Sequence, residues 1–91
     1  MLDLKDRQTT HGDWGEGCEV EDKLVSILEG TVTWQHLSNH HRCALRMIVH
    51  KIRRIMVGDP DFVDHWDDIG GYAKIEADLI RGTIPVPPAK E

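Results

Sequence analysis

Apolar residues recur at helical spacing in three stretches of the chain, and glycine, proline and short polar segments separate these stretches. The first stretch predicts a helix from about Glu16 to Glu29, with Gly30 as its terminating residue. Acidic residues in the early turns favour a helix start there, because carboxylates compensate the positive end of the helix dipole. The apolar stripe of this helix consists of Val20, Leu24, Ile27 and Leu28.

The second stretch predicts the central helix of the fold. Ser38 is a favourable N-cap, and the helical spacing continues to about Val57, where Gly58 and Pro60 interrupt it. An apolar stripe of this length predicts packing against more than one neighbouring element. The stripe consists of Leu45, Ile48, Ile52, Ile55 and Met56.

The third stretch predicts a helix that starts after an N-cap at Asp64, runs to about Arg81 and ends at Gly82. Gly70 and Gly71 lie inside this helix, where each glycine costs about 1 kcal/mol relative to alanine. Such a cost normally has a packing reason. We therefore expect another backbone to approach closely there, either from the second helix or from a second copy of the chain.

The fold class follows from these three helices. Residues 31–37 predict a connection with Trp34 and Leu37 as buried anchors, because no second strand-like run exists to pair with them. The prediction is an all-α, small helical bundle of three main helices in a single domain at 1–82, with a proline-rich tail at 83–91. A chain of 91 residues hides only roughly 60–65% of its unfolded surface. A homodimer is therefore expected to complete the core.

Charge excludes some classes of partner. Acidic residues outnumber basic ones 16 to 11 and the formal net charge is −5, which argues against a protein that grips duplex nucleic acid through its phosphates. Basic residues are nevertheless concentrated on the second predicted helix, between Arg42 and Arg54. A local cationic strip in an acidic protein fits a small anionic ligand. A solvated helix face is the alternative, and the sequence leaves both open.

Two further absences set the expected surroundings. Cys18 and Cys43 lie in different predicted helices without the spacing of a metal or redox pair. No uninterrupted apolar run approaches the roughly 20 residues that span a bilayer, and the first residues lack a signal-peptide core. We therefore expect a cytoplasmic protein without a membrane partner.

The third predicted helix carries the candidate chemistry. Asp64 and Asp68 stand one turn apart, and His65 faces Asp68 at a spacing of three. Groups at that spacing can share Mg²⁺ or Mn²⁺, and such ions also bind substrate phosphates. Lys51 and Arg54 share a face of the preceding helix and are suited to phosphate groups. These parts predict metal-assisted attack of water on a phosphoanhydride, with the two aspartates as catalytic metal ligands.

A loop near the start of the chain adds two candidates. His11 and Asp13 flank Gly12 in a segment that predicts an ordered loop. Loops held by a rigid scaffold often carry binding groups. His11 and Asp13 are therefore predicted to line the substrate pocket, although a lone HGD tripeptide has little specificity.

Four segments together resemble a group of small phage and prophage proteins. They read HGD at 11–13, ALRMIVHKIRRI at 44–55, GDP at 58–60 and DHWDDIGGYAKI at 64–75. That group in turn resembles the MazG-like, all-α nucleoside triphosphate pyrophosphohydrolases. The resemblance covers about residues 9–81, and its most specific part is the run DHWDDIGGYA.

The resemblance implies a function. MazG-like enzymes are oligomeric helical bundles that bind Mg²⁺ through ExxE and ExxD helix motifs and cleave nucleotides to a monophosphate and pyrophosphate. Asp68 falls at the aspartate of the second motif, with His65 in place of its glutamate and Asp64 as a substitute. The central helix reads Cys43-x-x-Arg46, where related phage proteins carry acidic residues. A non-catalytic member of the group is therefore an open alternative.

Three functions remain open on the sequence. The first is a phage-encoded, MazG-like protein that binds a nucleotide and hydrolyses a nucleoside triphosphate with Mg²⁺ or Mn²⁺. The second is a non-enzymatic phage accessory protein that binds and modulates a host protein through its acidic surface and exposed aromatic residues. In the third, the HGD loop and the DHWDD helix start are structural caps that hydrogen bonds tie together.

Overall fold

The computed structural model describes residues 9–83, and within this range the chain is all α-helical and has no strand. A short helical segment at 9–11 precedes the four helices. They are α1 (Trp14–Glu29), α2 (Val32–His36), α3 (Asn39–Val57) and α4 (Val63–Arg81). The predicted all-α class and its three main helices are confirmed. The predicted tail at 83–91 lies, after its first residue, outside the described range.

Side-chain caps decide where the first helices begin. Asp13 Oδ2 accepts a hydrogen bond from Glu16 N at 2.9 Å, so α1 starts two residues before its predicted start at Glu16. Ser38 caps α3 as predicted, and the His41 side chain completes a capping box with it. The predicted connection at 31–37 forms a short helix, because Thr31 accepts from Trp34 N at 3.3 Å.

The start of α4 corrects one prediction. Its N-cap is Phe62, without a side-chain cap hydrogen bond, so Asp64 lies inside the first turn. A carboxylate there still interacts favourably with the helix dipole. The predicted end is confirmed, since Gly82 terminates the helix with a left-handed φ of 78°.

Helix α3 is the centre of the fold. It packs against α4 on one side and α1 on another, and α2 packs against α1. The buried hydrophobic side chains of residues 9–83 are Trp34 and Val49, at 7% and 5% exposure. Leu45 and Met56, from the predicted apolar stripe of α3, remain 36% and 69% exposed. The helices therefore form an open layer with a small apolar core.

The glycine pair of α4 does not face another part of this layer. Within residues 9–83, a Cβ atom added at Gly70 or Gly71 would meet no heavy atom within 4 Å outside the backbone of its own helix. The expected close approach of the second helix is therefore wrong, and a second copy of the chain remains as the alternative. Within residues 9–83, no helix combines the length and apolar character that crossing a membrane requires.

Candidate functional site

The predicted loop at residues 11–13 is pressed against the turn that follows α3. Gly12 has φ 83°, and a Cβ atom there would lie 2.3 Å from Val57 O. A Cβ at Gly58 would lie 2.5 Å from Thr10 O. Only residues without a side chain allow this approach. The loop is consequently held against the C-terminal end of α3 by backbone contact.

His65 ties the same loop to α4. Its Nε2 donates a hydrogen bond to Thr10 O at 2.7 Å, and Asp59 N donates to the same carbonyl at 3.1 Å. The His65 side chain is only 1% exposed and has its ring against those of His11 and Phe62, at centroid distances of 5.1 and 5.0 Å. This contact set makes His65 a packing residue that positions the loop.

A salt bridge lies beside this contact. Lys51 Nζ of α3 is 2.8 Å from Asp68 Oδ2 of α4, and Lys51 is buried although it is charged. A buried ammonium needs such a partner, because desolvation without one is costly. The hydrogen bond from Lys51 lowers the pKa of Asp68 below its ordinary value. Asp68 is thus a carboxylate that stays ionised well into acid.

Charged groups of α3 act on the residues around Asp68. Burial, followed by the charge of Arg53, lowers the pKa of the Arg54 guanidinium, while Asp68 and Glu21 oppose this effect. Within residues 9–83, Arg54 forms no salt bridge of its own. Burial, then Arg54, His65 and Lys51, lowers the pKa of His11 from its ordinary value. His11 therefore lies in the positive field of Arg54 and Lys51, and Asp68 is the carboxylate that Lys51 contacts.

Five of the predicted site residues lie close enough to act on one another electrostatically. They come from the loop, from α3 and from α4, and are His11, Lys51, Arg54, His65 and Asp68. The structure gives the other two different positions. Asp13 is the N-cap of α1. Asp64 is exposed in the first turn of α4 and forms no side-chain hydrogen bond or ion pair in the described part of the chain.

A second polar cluster between α1 and α3 has no counterpart in the sequence predictions. Arg53 is buried, its NH1 lies 3.1 Å from Glu21 Oε1, and His50 Nδ1 lies 2.7 Å from the same oxygen. The guanidinium also stacks on Trp14, with Cζ 4.6 Å from the ring centroid. This cluster joins two helices, and its Glu21 and Arg53 also line an open cavity of about 320 Å³.

A third cluster joins the other end of α3 to α4. His40, His41 and Glu76 each offer a ligand atom within 4.8 Å of the other two. Within the described range, these are the His, Cys, Asp or Glu side chains grouped closely enough to hold an ion together. The predicted metal ligands Asp64, His65 and Asp68 are not grouped that closely. The sequence predictions missed this histidine pair, because its partner lies 36 residues further along the chain.

Comparison with known proteins adds no relative. No protein-family model matches the chain, and no match is found among curated proteins or solved structures. The resemblance to phage proteins and to MazG-like enzymes therefore stays a prediction.

Proposed function

We propose that this chain is a phage-encoded, MazG-like protein that binds a nucleoside triphosphate with Mg²⁺ or Mn²⁺ and hydrolyses it to the monophosphate and pyrophosphate. The observation that carries the proposal is that His11, Lys51 and Arg54 lie close together, with Lys51 and Arg54 also acting on Asp68. A triphosphate would bring negative charge to these three side chains.

Phosphate binding falls to the residues of α3. Arg54 has a planar guanidinium that matches two phosphate oxygens, and no salt bridge within residues 9–83 competes for it. Lys51 would exchange its contact with Asp68 for a phosphate oxygen. His11 lies in the positive field of Arg54 and Lys51, so a bound polyanion would make its protonated form more favourable.

Asp64 and Asp68 would hold the divalent ion. They stand four positions apart on α4, and Mg²⁺ is commonly bound by one or two carboxylates together with waters and substrate phosphates. His65 does not fit, because its Nε2 is engaged with Thr10 O and its side chain is buried. When bound, the ion would neutralise charge on the phosphates and orient the attacking water.

The reaction is a displacement at phosphorus. Water attacks a phosphoanhydride, the bond to pyrophosphate breaks, and the water proton leaves to solvent. Arg54 and Lys51 stabilise the charge that develops on the phosphate oxygens. Asp64 and Asp68 would hold the ion and would not contact the nucleotide directly.

We further propose that the chain acts as a homodimer through the open face of α3. Within residues 9–83, nine large hydrophobic residues are exposed, Leu45 and Met56 of α3 among them, and only two hydrophobic residues are buried, which is a small core for a domain. Met56→Glu, at 69% exposure, should shift the protein to a monomer in sedimentation equilibrium. Ile75→Glu on α4, which is 58% exposed, is the matched control. Two monomeric variants, or two dimeric ones, would contradict the assignment to α3.

Nucleotide turnover tests the proposed activity. Incubation with each nucleoside and deoxynucleoside triphosphate plus Mg²⁺ or Mn²⁺ should release pyrophosphate, and Arg54→Gln should lower the rate at least about 10-fold. Arg46→Gln is the control, because Arg46 is an exposed arginine of the same helix that contacts Glu29 at 3.5 Å. No pyrophosphate from any nucleotide, together with no metal-dependent thermal shift, would refute the enzyme proposal.

A second candidate is a non-enzymatic accessory protein that binds a host protein. Exposed aromatic residues favour it, since Trp14 and Trp66 are 68% and 54% exposed on a chain of net charge −5. Aromatic side chains often anchor protein interfaces. Capture of a stoichiometric host partner that survives Asp68→Asn but not Trp66→Ala would favour this function over nucleotide hydrolysis.

A further inference from the structure

The cluster of His40, His41 and Glu76 lies at the opposite end of the α3–α4 pair from the proposed nucleotide site. His40 Nδ1 is 2.6 Å from Glu76 Oε2, and His41 Nε2 is 3.5 Å from the same oxygen. The two imidazole rings lie side by side, with centroids 4.6 Å apart. One carboxylate oxygen therefore faces two imidazole nitrogens.

From this geometry we propose that His40, His41 and Glu76 form a binding site for a divalent transition-metal ion, with Zn²⁺ as the best match. Two imidazoles and one carboxylate suit Zn²⁺, whereas Mg²⁺ prefers oxygen ligands alone. Three protein ligands leave the fourth position of a tetrahedral ion to water. The site is independent of the proposed hydrolysis and of the residues assigned to it.

Ligand spacing supports the assignment. Ligand atoms at about 2.0–2.1 Å from a tetrahedral Zn²⁺ lie roughly 3.4 Å apart. The separation of 3.5 Å between His41 Nε2 and Glu76 Oε2 already matches this value. The His40–Glu76 pair, at 2.6 Å, must open by less than 1 Å. His40 and His41 are 44% and 35% exposed at their side chains, so small rotations of the rings can supply that movement.

Glu76 is the anchor of the site. Its side chain is only 16% exposed, and within residues 9–83 its ion pairs are with the two histidines. No lysine or arginine of this range competes for its charge by a salt bridge. A carboxylate that faces two imidazole nitrogens is a favourable setting for a cation, because the ion can take the place of the proton in the His40–Glu76 hydrogen bond.

Ser38 orients one ligand from behind. The Ser38 hydroxyl is 2.8 Å from His41 Nδ1, and Ser38 N also donates to that nitrogen at 3.2 Å. In the metal-bound form the proton of His41 resides on Nδ1 and is donated to Ser38 Oγ, which frees Nε2 for the ion. Metal-binding histidines commonly have such a partner on the second nitrogen. In that form Ser38 N loses His41 Nδ1 as its hydrogen-bond acceptor.

Metal titration of tag-free protein tests this site. Competition with a chromophoric chelator should give one Zn²⁺ per chain, and Co²⁺ should produce the visible absorption bands of a tetrahedral site. His40→Gln should weaken Zn²⁺ binding at least about 10-fold, since even residues behind the ligands cost that much when replaced. Mg²⁺ should not compete.

His36→Gln is the matched control, because His36 is an exposed histidine at the end of α2 and lies outside the cluster. It should leave the affinity unchanged. Zn²⁺ should also raise the melting temperature of the wild type but not of His40→Gln, and circular dichroism verifies that both variants are folded. Equal affinity of the wild type and His40→Gln, or an equal loss in His36→Gln, would overturn the proposal.

Discussion

The two ends of the α3–α4 pair are joined by different chemistry. At the C-terminal end of α3, backbone contact between Gly12, Gly58 and their neighbours leaves no room for an added atom. At the N-terminal end, the joint is made by side chains alone, from His40 and His41 to Glu76. Added side-chain volume should destabilise the first joint, whereas the second should respond to the protons or ions that its nitrogens and oxygens bind.

The first joint is therefore a fixed scaffold, whereas the second joint can exchange protons or metal ions. The backbone joint holds the loop of His11 beside Lys51 and Arg54, so the position of those side chains depends on tight packing. The histidine joint carries no comparable packing, because both rings are partly exposed. Substitutions at the first joint should therefore change stability most, and substitutions at the second should change ligand binding with little effect on folding.

The largest effect is expected at Gly12. Gly12→Ala places a Cβ atom 2.3 Å from Val57 O on a residue with φ 83°, which combines a backbone clash with an unfavourable dihedral. Urea unfolding should show a loss of about 2–4 kcal/mol. Gly82→Ala is the control, since Gly82 has φ 78° but a Cβ atom there would meet no heavy atom of residues 9–83 within 4 Å. That variant should lose only about 1–2 kcal/mol, and equal losses would show that the loop is not tightly packed.

Much of this fold could be predicted because it depends on local signals. The bounds of α3 follow from Ser38 as N-cap and from Gly58 after its last turn, and both are confirmed. The start of α4 was mispredicted, because Phe62 precedes the helix without any side-chain cap that a sequence pattern would indicate. Short caps and helical spacing are readable from sequence, whereas an uncapped start is set by tertiary packing.

The candidate site was predictable only in part. Lys51, Arg54 and Asp68 lie near the hairpin turn, where two helices joined by a short connection must bring their faces together. His40 and Glu76 are far from that turn, and their contact depends on the register of the whole hairpin. His40 lies 20 residues before Pro60 and Glu76 lies 16 after it, so pairing residues at equal distances from the turn would not have found this contact. The small core was not predictable, because spacing shows which residues are apolar but not what covers them.

The next effect concerns the salt bridge between Lys51 and Asp68, which lies beside the backbone joint. Asp68→Asn leaves the buried Lys51 ammonium without its carboxylate and should destabilise the protein, whereas Lys51→Met replaces the charge by an apolar chain of similar length and should be close to neutral. Urea unfolding of both variants measures the asymmetry. Equal destabilisation would show that Lys51 is solvated despite its low exposure.

The pH dependence of the same variant has a definite sign. The pKa of Asp68 is lower in the folded protein than its ordinary value of 3.8, so its contribution to stability is present above that value. The contribution declines as the pH falls through the folded pKa. The difference in stability between wild type and Asp68→Asn should therefore be constant from neutral pH to about pH 5 and shrink below about pH 4. A difference that grows in acid would contradict the assigned cause.

A smaller effect of opposite sign is expected between the two joints. Gly71→Ala lies on α4 between Asp68 and Glu76, and its added Cβ would meet no atom of the described chain within 4 Å. Replacing a helix-interior glycine by alanine should raise the free energy of unfolding by about 1 kcal/mol in a monomer. The effect is measured both in the wild-type background and in the monomeric Met56→Glu background. A loss of stability seen only in the dimer would place the partner chain against Gly71 rather than against α3.

The smallest effect is a change in the slope of stability against pH, and it distinguishes the histidine of the first joint from those of the second. Burial and the charges of Arg54, His65 and Lys51 lower the pKa of His11 below its ordinary value of 6.5. The unfolded chain then binds more protons than the folded one just below pH 6.5, so stability falls as the pH drops through that window. His11→Gln should flatten this part of the profile, measured by urea unfolding at closely spaced pH values.

A bound triphosphate should raise the pKa of His11 in an NMR titration, because its charge offsets Arg54 and Lys51. Zn²⁺ should leave the His11 titration unchanged while it alters the signals of His40 and His41. If both ligands perturbed the same histidines, the two joints would form one site, and the separation between scaffold and exchangeable chemistry would not hold.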